Sequence, residues 1–259
     1  MTGGEQDPVP GVAEGSAAYY ALLFTPESRR DALAAVFALG RELDRISIRR
    51  GEPSVIQTKL RWWDEEIRRL VKREARHPMT RALVSEPSLA GIESLLLEMV
   101  ACTASLAQSV AAADDNKTIE MDCRRGAALL GTVAVMLTNG RDADQVLIPA
   151  RNIGAAGRLI DLLRSEPALQ SSRHLLLPEA TAGLAEGLAG VPRERHAELA
   201  PILVYGEIQR RRLGGPDMQQ EPRSRLTRAF DTLRDLGTAW RTARRAVREQ
   251  APSQHRETK

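Results

Sequence analysis

Two aspartates stand out by where helical spacing puts them. Asp44 lies in "ALGRELDRI" and Asp161 in "GRLIDLLRSEP". Each has arginines nearby, Arg41 and Arg45 beside the first, Arg158 and Arg164 beside the second. A carboxylate can bind a divalent cation, move a proton or pair with a guanidinium. The choice depends on whether it faces a cavity, solvent or an opposing arginine, so the elements that carry it come next.

The stretch "TPESRRDALAAVFALGRELDRISIRR" reads as a helix to about Arg50. Thr25 suits the N-cap, Pro26 the first helical position and Glu27 the positive end of the helix dipole, while Gly51 and Pro53 stop it. At about 100° per residue, Leu33, Phe37, Gly40, Asp44 and Ile48 form one stripe. Asp44 is therefore in the middle of an apolar face, where a carboxylate is costly unless paired or metal-bound. Two readings stay open: an ion pair with Arg41 or with an arginine of another helix, or a site residue facing a cavity. For Asp161 periodicity favours solvent. Gly154, Arg158, Asp161 and Ser165 share one stripe, and Leu159, Ile160, Leu162, Leu163, Ala155 and Ala156 make the other side.

Further helices are expected over about 54–75, a short piece to Ser85, 88–113, 117–139 (stopped by Asn139-Gly140), 143–166, 194–213 and 222–249. The segment 168–193, with "LLLPEA", reads as irregular. No strand-like alternation of useful length occurs. The expectation is one all-α domain over residues 17–249, with disordered tails at 1–16 and 250–259.

Composition excludes several classes. A net charge of +3 and 27% charged residues fit a soluble globular chain and not a nucleic-acid binder. Cys102 and Cys123 sit in apolar helical patterns and read as reduced core residues of a cytoplasmic protein. Histidines at 77, 174, 196 and 255 lack metal-ligand spacing. There is no P-loop, Rossmann glycine pattern or nucleophile elbow, and the acidic, Gly/Pro-rich N-terminus reads as neither signal nor transit peptide.

With the helices placed, an order of motifs emerges. "FTPESRRDALAAVFALGRELDRI", "LRWWDEEIRRL" followed by "HPMTRAL", "DCRRGAALLG", and "NIGAAGRLIDLLRSEP" followed by "SSRHLLLPEA" resemble, in sequence and order, the squalene/phytoene synthase family. The resemblance covers about residues 17–245. It implies an isoprenoid-synthase-like helical bundle around a central cavity. In that family, aspartate-rich motifs on facing helices hold Mg²⁺ and the diphosphates of two prenyl diphosphates.

The departures from the family pattern bear on function. Asp44 keeps the first aspartate of the first motif, while Arg45 and Ile48 stand in place of the others. In the second motif Arg158 stands for glutamine, Asp161 for asparagine, and Ser165 and Leu169 for the metal-binding aspartates. Asp122 replaces the tyrosine before Cys123. Two carboxylates, Asp44 and Asp161, are weak metal ligands by themselves, so Mg²⁺ is expected only in an enzymatic reading.

The resemblance thus implies two functions. One is a catalytically degenerate member, similar to the branch known for respiratory complex I assembly factors, binding a protein partner or an isoprenoid or lipid ligand. In it, Asp44 and Asp161 pair with Arg41, Arg158 or Arg164. The other is an active prenyltransferase in which Arg41, Arg45, Arg158 and Arg164 take over diphosphate binding, since guanidinium forks suit phosphate oxygens. The basic C-terminal helix spaces Leu226, Phe230, Leu233, Leu236, Trp240 and Ala243 along one side, and peripheral contact with an anionic membrane is its functional reading.

Overall fold

The computed structural model describes residues 12–48, 52–166, 169, 171–213 and 225–250. Ten helices account for the regular structure there: α1 (Ala17–Leu23), α2 (Glu27–Ile48), α3 (Pro53–Val71), α4 (Pro78–Arg81), α5 (Leu89–Ala111), α6 (Asp115–Leu137), α7 (Ala143–Ser165), α8 (Arg173–Gly190), α9 (Ala200–Leu213) and α10 (Arg225–Gln250). A 3₁₀ turn at Arg193–Arg195 precedes α9. No strand occurs among the described residues, and the bundle is a single all-α domain.

Local chemistry explains the boundaries. Ser16 caps α1 by accepting from the Tyr19 N–H at 3.1 Å, and Asp114 caps α6 by accepting from Lys117 N–H at 3.1 Å. After α6 the chain reverses through Asn139 and Gly140, both left-handed, a conformation that asparagine tolerates and glycine adopts without a Cβ penalty. Glu66 of α3 organises the short helix α4. Its carboxylate accepts from the backbone N–H groups of Arg76 and His77, the Thr80 hydroxyl and Arg69 Nε, at 2.6 to 3.0 Å. Burial by itself would raise the Glu66 pKa, but those donors outweigh it and lower it to about 2.

Helices α5, α6, α7 and α8 pack each on the next, α2 lies across α5 and α6, and α9 packs on α7 while carrying α1 and α10. Ile92, Leu96, Met99, Ala128, Ala134, Met136, Ile153 and Ile160 are wholly buried along the junctions of α5, α6 and α7. Of the described helices, α5 alone is long and apolar enough to cross a membrane by length and composition. It lies against α2, α3 and α6 as a core helix.

Two local expectations are corrected. Residues 173–190 are not irregular but form α8, with Pro178 inside the helix. One proline removes one backbone donor, and the glycines of "EATAGLAEGLAG" weaken helix propensity but let α8 approach α7 closely, with Gly187 against Ile153, so packing on α7 prevails. The short helix α1 was not expected. Of the N-terminal segment expected to be a disordered tail, residues 1–11 lie outside the described residues, while Val12 is buried and Ser16 caps α1. Residues 251–259, most of the expected C-terminal tail, also lie outside them.

Candidate functional site

The site begins with a close helix crossing. A Cβ on Gly126 of α6 would stand 2.6 Å from the Gly154 carbonyl oxygen and 2.7 Å from Arg158 Cβ of α7. The two backbones touch, and only glycine at both positions permits it. That contact brings Asp122 and Arg125, just before Gly126, up to Arg158, one turn after Gly154. Asp44 reaches the same point from α2, in which Leu33, Phe37 and Leu43 are buried.

The four side chains form a closed charge cluster. Arg125 Nη2 donates to both Asp44 and Asp122. Arg158 Nη2 lies 2.9 Å from Asp44 Oδ1 and 2.9 Å from Asp122 Oδ2. Each carboxylate is shared by two guanidiniums and each guanidinium by two carboxylates. Asp122 and Arg125 are sealed, with side chains 4% and 5% exposed, while Asp44 retains 27%. Burial by itself would lower the Arg158 pKa. Asp122, then Asp44, override that and hold it above its ordinary value, so Arg158 stays cationic. Arg125 Nη1 is buried and has no hydrogen-bond partner among the described residues.

Asp161 has a looser set of partners. Gln209 Nε2 of α9 donates to its Oδ2 at 3.2 Å and to the Gly157 carbonyl at 3.2 Å. Arg212 Nη1 stands 3.7 Å and Arg164 Nη1 3.9 Å from Asp161 Oδ1. Arg212 also donates to the Gly15 carbonyl at 2.7 Å, tying the segment before α1 to the site. The Tyr205 ring packs where a Cβ on Gly157 would be, and burial, then the Asp161 charge, push its phenol up to about 12. Tyr205 is therefore a neutral hydroxyl here.

Both halves line one pocket of about 240 Å³. Its charged side chains are Arg41, Asp44, Arg125, Arg158, Asp161 and Arg212, Ser16 and Tyr205 add hydroxyls, and Phe37, Met99, Leu129, Val12, Ala17 and Ala18 supply the apolar part. Asp44 and Asp161 thus share a pocket and are both ion-paired. The solvated face that periodicity favoured for Asp161 gives way to a half-buried position against α9.

Of the candidate arginines, Arg41 and Arg158 line the pocket. Arg45 does not: it is exposed and stands 3.5 Å from Glu42, one turn back on α2. Arg164 sits beside Asp161 without lining the pocket. Sequence reasoning missed Arg125, Gln209 and Arg212, and noted Asp122 only as a replacement. Asp122 and Arg125 at i,i+3, directly before the apolar run that starts at Gly126, were a usable signal. Gln209 and Arg212 had none, since α9 carries four polar residues in a row.

The Mg²⁺ that the resemblance implies does not fit these residues. A Mg²⁺ site needs near-octahedral oxygens at about 2.0–2.1 Å, with carboxylates free to supply them. Asp44 and Asp122 are each held by two guanidiniums, which would stand beside the metal as like charges. Ser165 is exposed with its hydroxyl donating to the Asp161 carbonyl at 2.9 Å, and Leu169 packs against the core. Among the described residues no group of three His, Cys, Asp or Glu is placed to hold a metal ion. The thiol of Cys123, next to Asp122, is pushed up to about 12 by burial and is inert.

Helix bundle and pocket together are consistent with an isoprenoid-synthase-like fold. Comparison with family models takes this further: the squalene/phytoene synthase model matches residues 12–206, and the chain belongs to that family. The match ends within α9, before Gln209, Arg212 and α10. No curated protein and no solved structure matches the chain.

Proposed function

We propose that this protein binds the diphosphate end of a prenyl diphosphate in the pocket, as a squalene/phytoene synthase-type protein whose diphosphate site is remodelled around arginines. One observation carries the reading: Arg41, Arg125, Arg158 and Arg212 converge on a pocket that holds two aspartates and an apolar wall. Guanidinium forks bind phosphate oxygens in pairs, and a desolvated site strengthens each contact. The buried Arg125 Nη1 is a donor still to be satisfied. In an active enzyme the same contacts would stabilise diphosphate as the allylic C–O bond breaks, the role that electrostatic preorganisation plays in catalysis.

A second reading is favoured by the charge cluster. Arg125 and Arg158 already hold Asp44 and Asp122, and about 240 Å³ is small beside the ~300–1,000 Å³ of usual ligand sites. Such a pocket takes one head group and the first prenyl units more readily than two whole substrates. In this reading the protein binds its ligand without turning it over, as an assembly-factor-like member would.

Calorimetric titration with farnesyl and geranylgeranyl diphosphate, in EDTA and in Mg²⁺, combined with assay of diphosphate release, separates the two. Binding in EDTA that weakens tenfold or more in Arg158→Gln supports the arginine site. Release on top of binding supports the transferase, and binding without release supports the second reading. No binding of either ligand sinks both.

A further inference from the structure

The last helix carries a surface that the pocket does not use and that lies beyond the family match. On α10, Ala239, Ala243 and Ala246 are buried. Its two described aspartates turn the same way: Asp235 pairs with Arg211 of α9, and Asp231 lies 3.7 Å from that guanidinium. The protein body thus takes the negative charge of this helix's described side chains. Among them, the charge that remains outside is one-signed. Arg234, Arg241, Arg244, Arg245 and Arg248 are all exposed, and none has a carboxylate partner among the described residues.

Alongside that basic face runs an apolar edge. Leu236, Trp240 and Val247 are 43%, 51% and 60% exposed. At 100° per residue they fall within about 40° of one another, and the five arginines occupy about the next 100° of the helix. Arg244 stands over the Trp240 ring, 4.9 Å from its centroid, which joins the two stripes. An exposed tryptophan between two aliphatic residues, with arginines along one side and the buried alanine face on the other, matches the layered chemistry of a bilayer interface.

We propose that α10 is a membrane-docking helix that seats Leu236, Trp240 and Val247 at the head-group boundary of an anionic bilayer, with the arginine row on the lipid phosphates. Charge complementarity selects this occupant. A second copy docked face to face would set two arginine rows against each other. The stripe order also gives a direction: the edge that enters the lipid is the one next to the buried alanine face, so the bundle lies against the membrane with α10 at the contact line.

The test is co-sedimentation of the full chain with vesicles of equal parts phosphatidylcholine and phosphatidylglycerol, against pure phosphatidylcholine, at low salt and at about 0.5 M, where the Debye length falls below about 5 Å. Binding to the anionic vesicles should fall at least tenfold on pure phosphatidylcholine and at high salt. Trp240→Ser with Val247→Ser should lower it about tenfold, and each of Arg241→Gln, Arg244→Gln and Arg248→Gln about fivefold. All these positions are exposed, so unchanged thermal melting shows that the variants stay folded, and Arg68→Gln on α3 should bind like the parent. No binding of the parent to anionic vesicles at low salt overturns the proposal, as does binding indifferent to Trp240→Ser with Val247→Ser. A concentration-dependent dimer abolished by Trp240→Ser also overturns it, by giving the face to a second copy.

Discussion

Arg158 of α7 stands 2.9 Å from Asp44 of α2, so the carboxylate on the buried stripe of one helix is held by a guanidinium of another. A carboxylate in a half-buried place needs a cation, and the guanidinium supplies it.

The cluster should behave as a unit. Asp122 is sealed between Arg125 and Arg158, so Asp122→Ala leaves buried positive charge uncompensated and should cost about 3–5 kcal/mol. Asp44→Ala should cost less, about 1–2 kcal/mol, because Asp44 is partly exposed. A double-mutant cycle of Asp122→Asn with Arg158→Gln, read by urea unfolding, should give a coupling of about 1–3 kcal/mol. Additivity within error would mean that the pair is not coupled.

The helix crossing should tolerate no Cβ. Gly126→Ala pushes a methyl group into the Gly154 carbonyl and should destabilise by about 2 kcal/mol or more, since backbone cannot move aside as a side chain can. Gly183→Ala on α8 meets only Ala156 Cβ at 3.7 Å and should be neutral or stabilise by up to about 1 kcal/mol through helix propensity. Thermal melting of the two variants gives the comparison, and equal melting temperatures would contradict it.

Acid should unlock the α3–α4 junction. Glu66 has its pKa lowered from 4.5 to about 2, so its carboxylate stabilises the fold above about pH 4.5, and that contribution is lost as the pH falls through 4.5 toward 2. Glu66→Gln removes the charge and should cost about 2 kcal/mol at neutral pH. Its stability curve should also be flatter than the parent's between pH 4.5 and 2. Parallel curves for parent and variant over that range would count against this role.

Inorganic diphosphate should stabilise the protein in EDTA. A ligand at about a hundred times its Kd adds about 2.7 kcal/mol. The rise in melting temperature should shrink in Arg158→Gln and in Arg212→Gln, whereas Mg²⁺ alone should produce none. A rise that requires Mg²⁺ would show that the metal, not the arginines, makes the site.

Much of this was legible in the chain. Periodicity located the buried stripe of α2 and the position of Asp44 within it, and the Asn139-Gly140 pair marked the end of α6. Motif order pointed to the family that the comparison shows. The pairings were less legible. Arg45 was as good a candidate as Arg41 by proximity to Asp44, yet one residue turns a helical side chain by about 100°, and Arg45 ended on the outside with Glu42. The segment 168–193 read as irregular because the stabilisation of α8 against α7 is not local.

By itself the sequence determined that Asp44 is too polar for the face it occupies, because helical periodicity is a property of neighbours in the chain. Only the tertiary structure decided the partners. Arg158 reached Asp122 because glycines at 126 and 154 let α6 and α7 touch, and Gln209 and Arg212 reached Asp161 because α9 packs on α7. Coulomb and hydrogen-bond energies depend on distances between helices far apart in sequence, and those distances are set by packing.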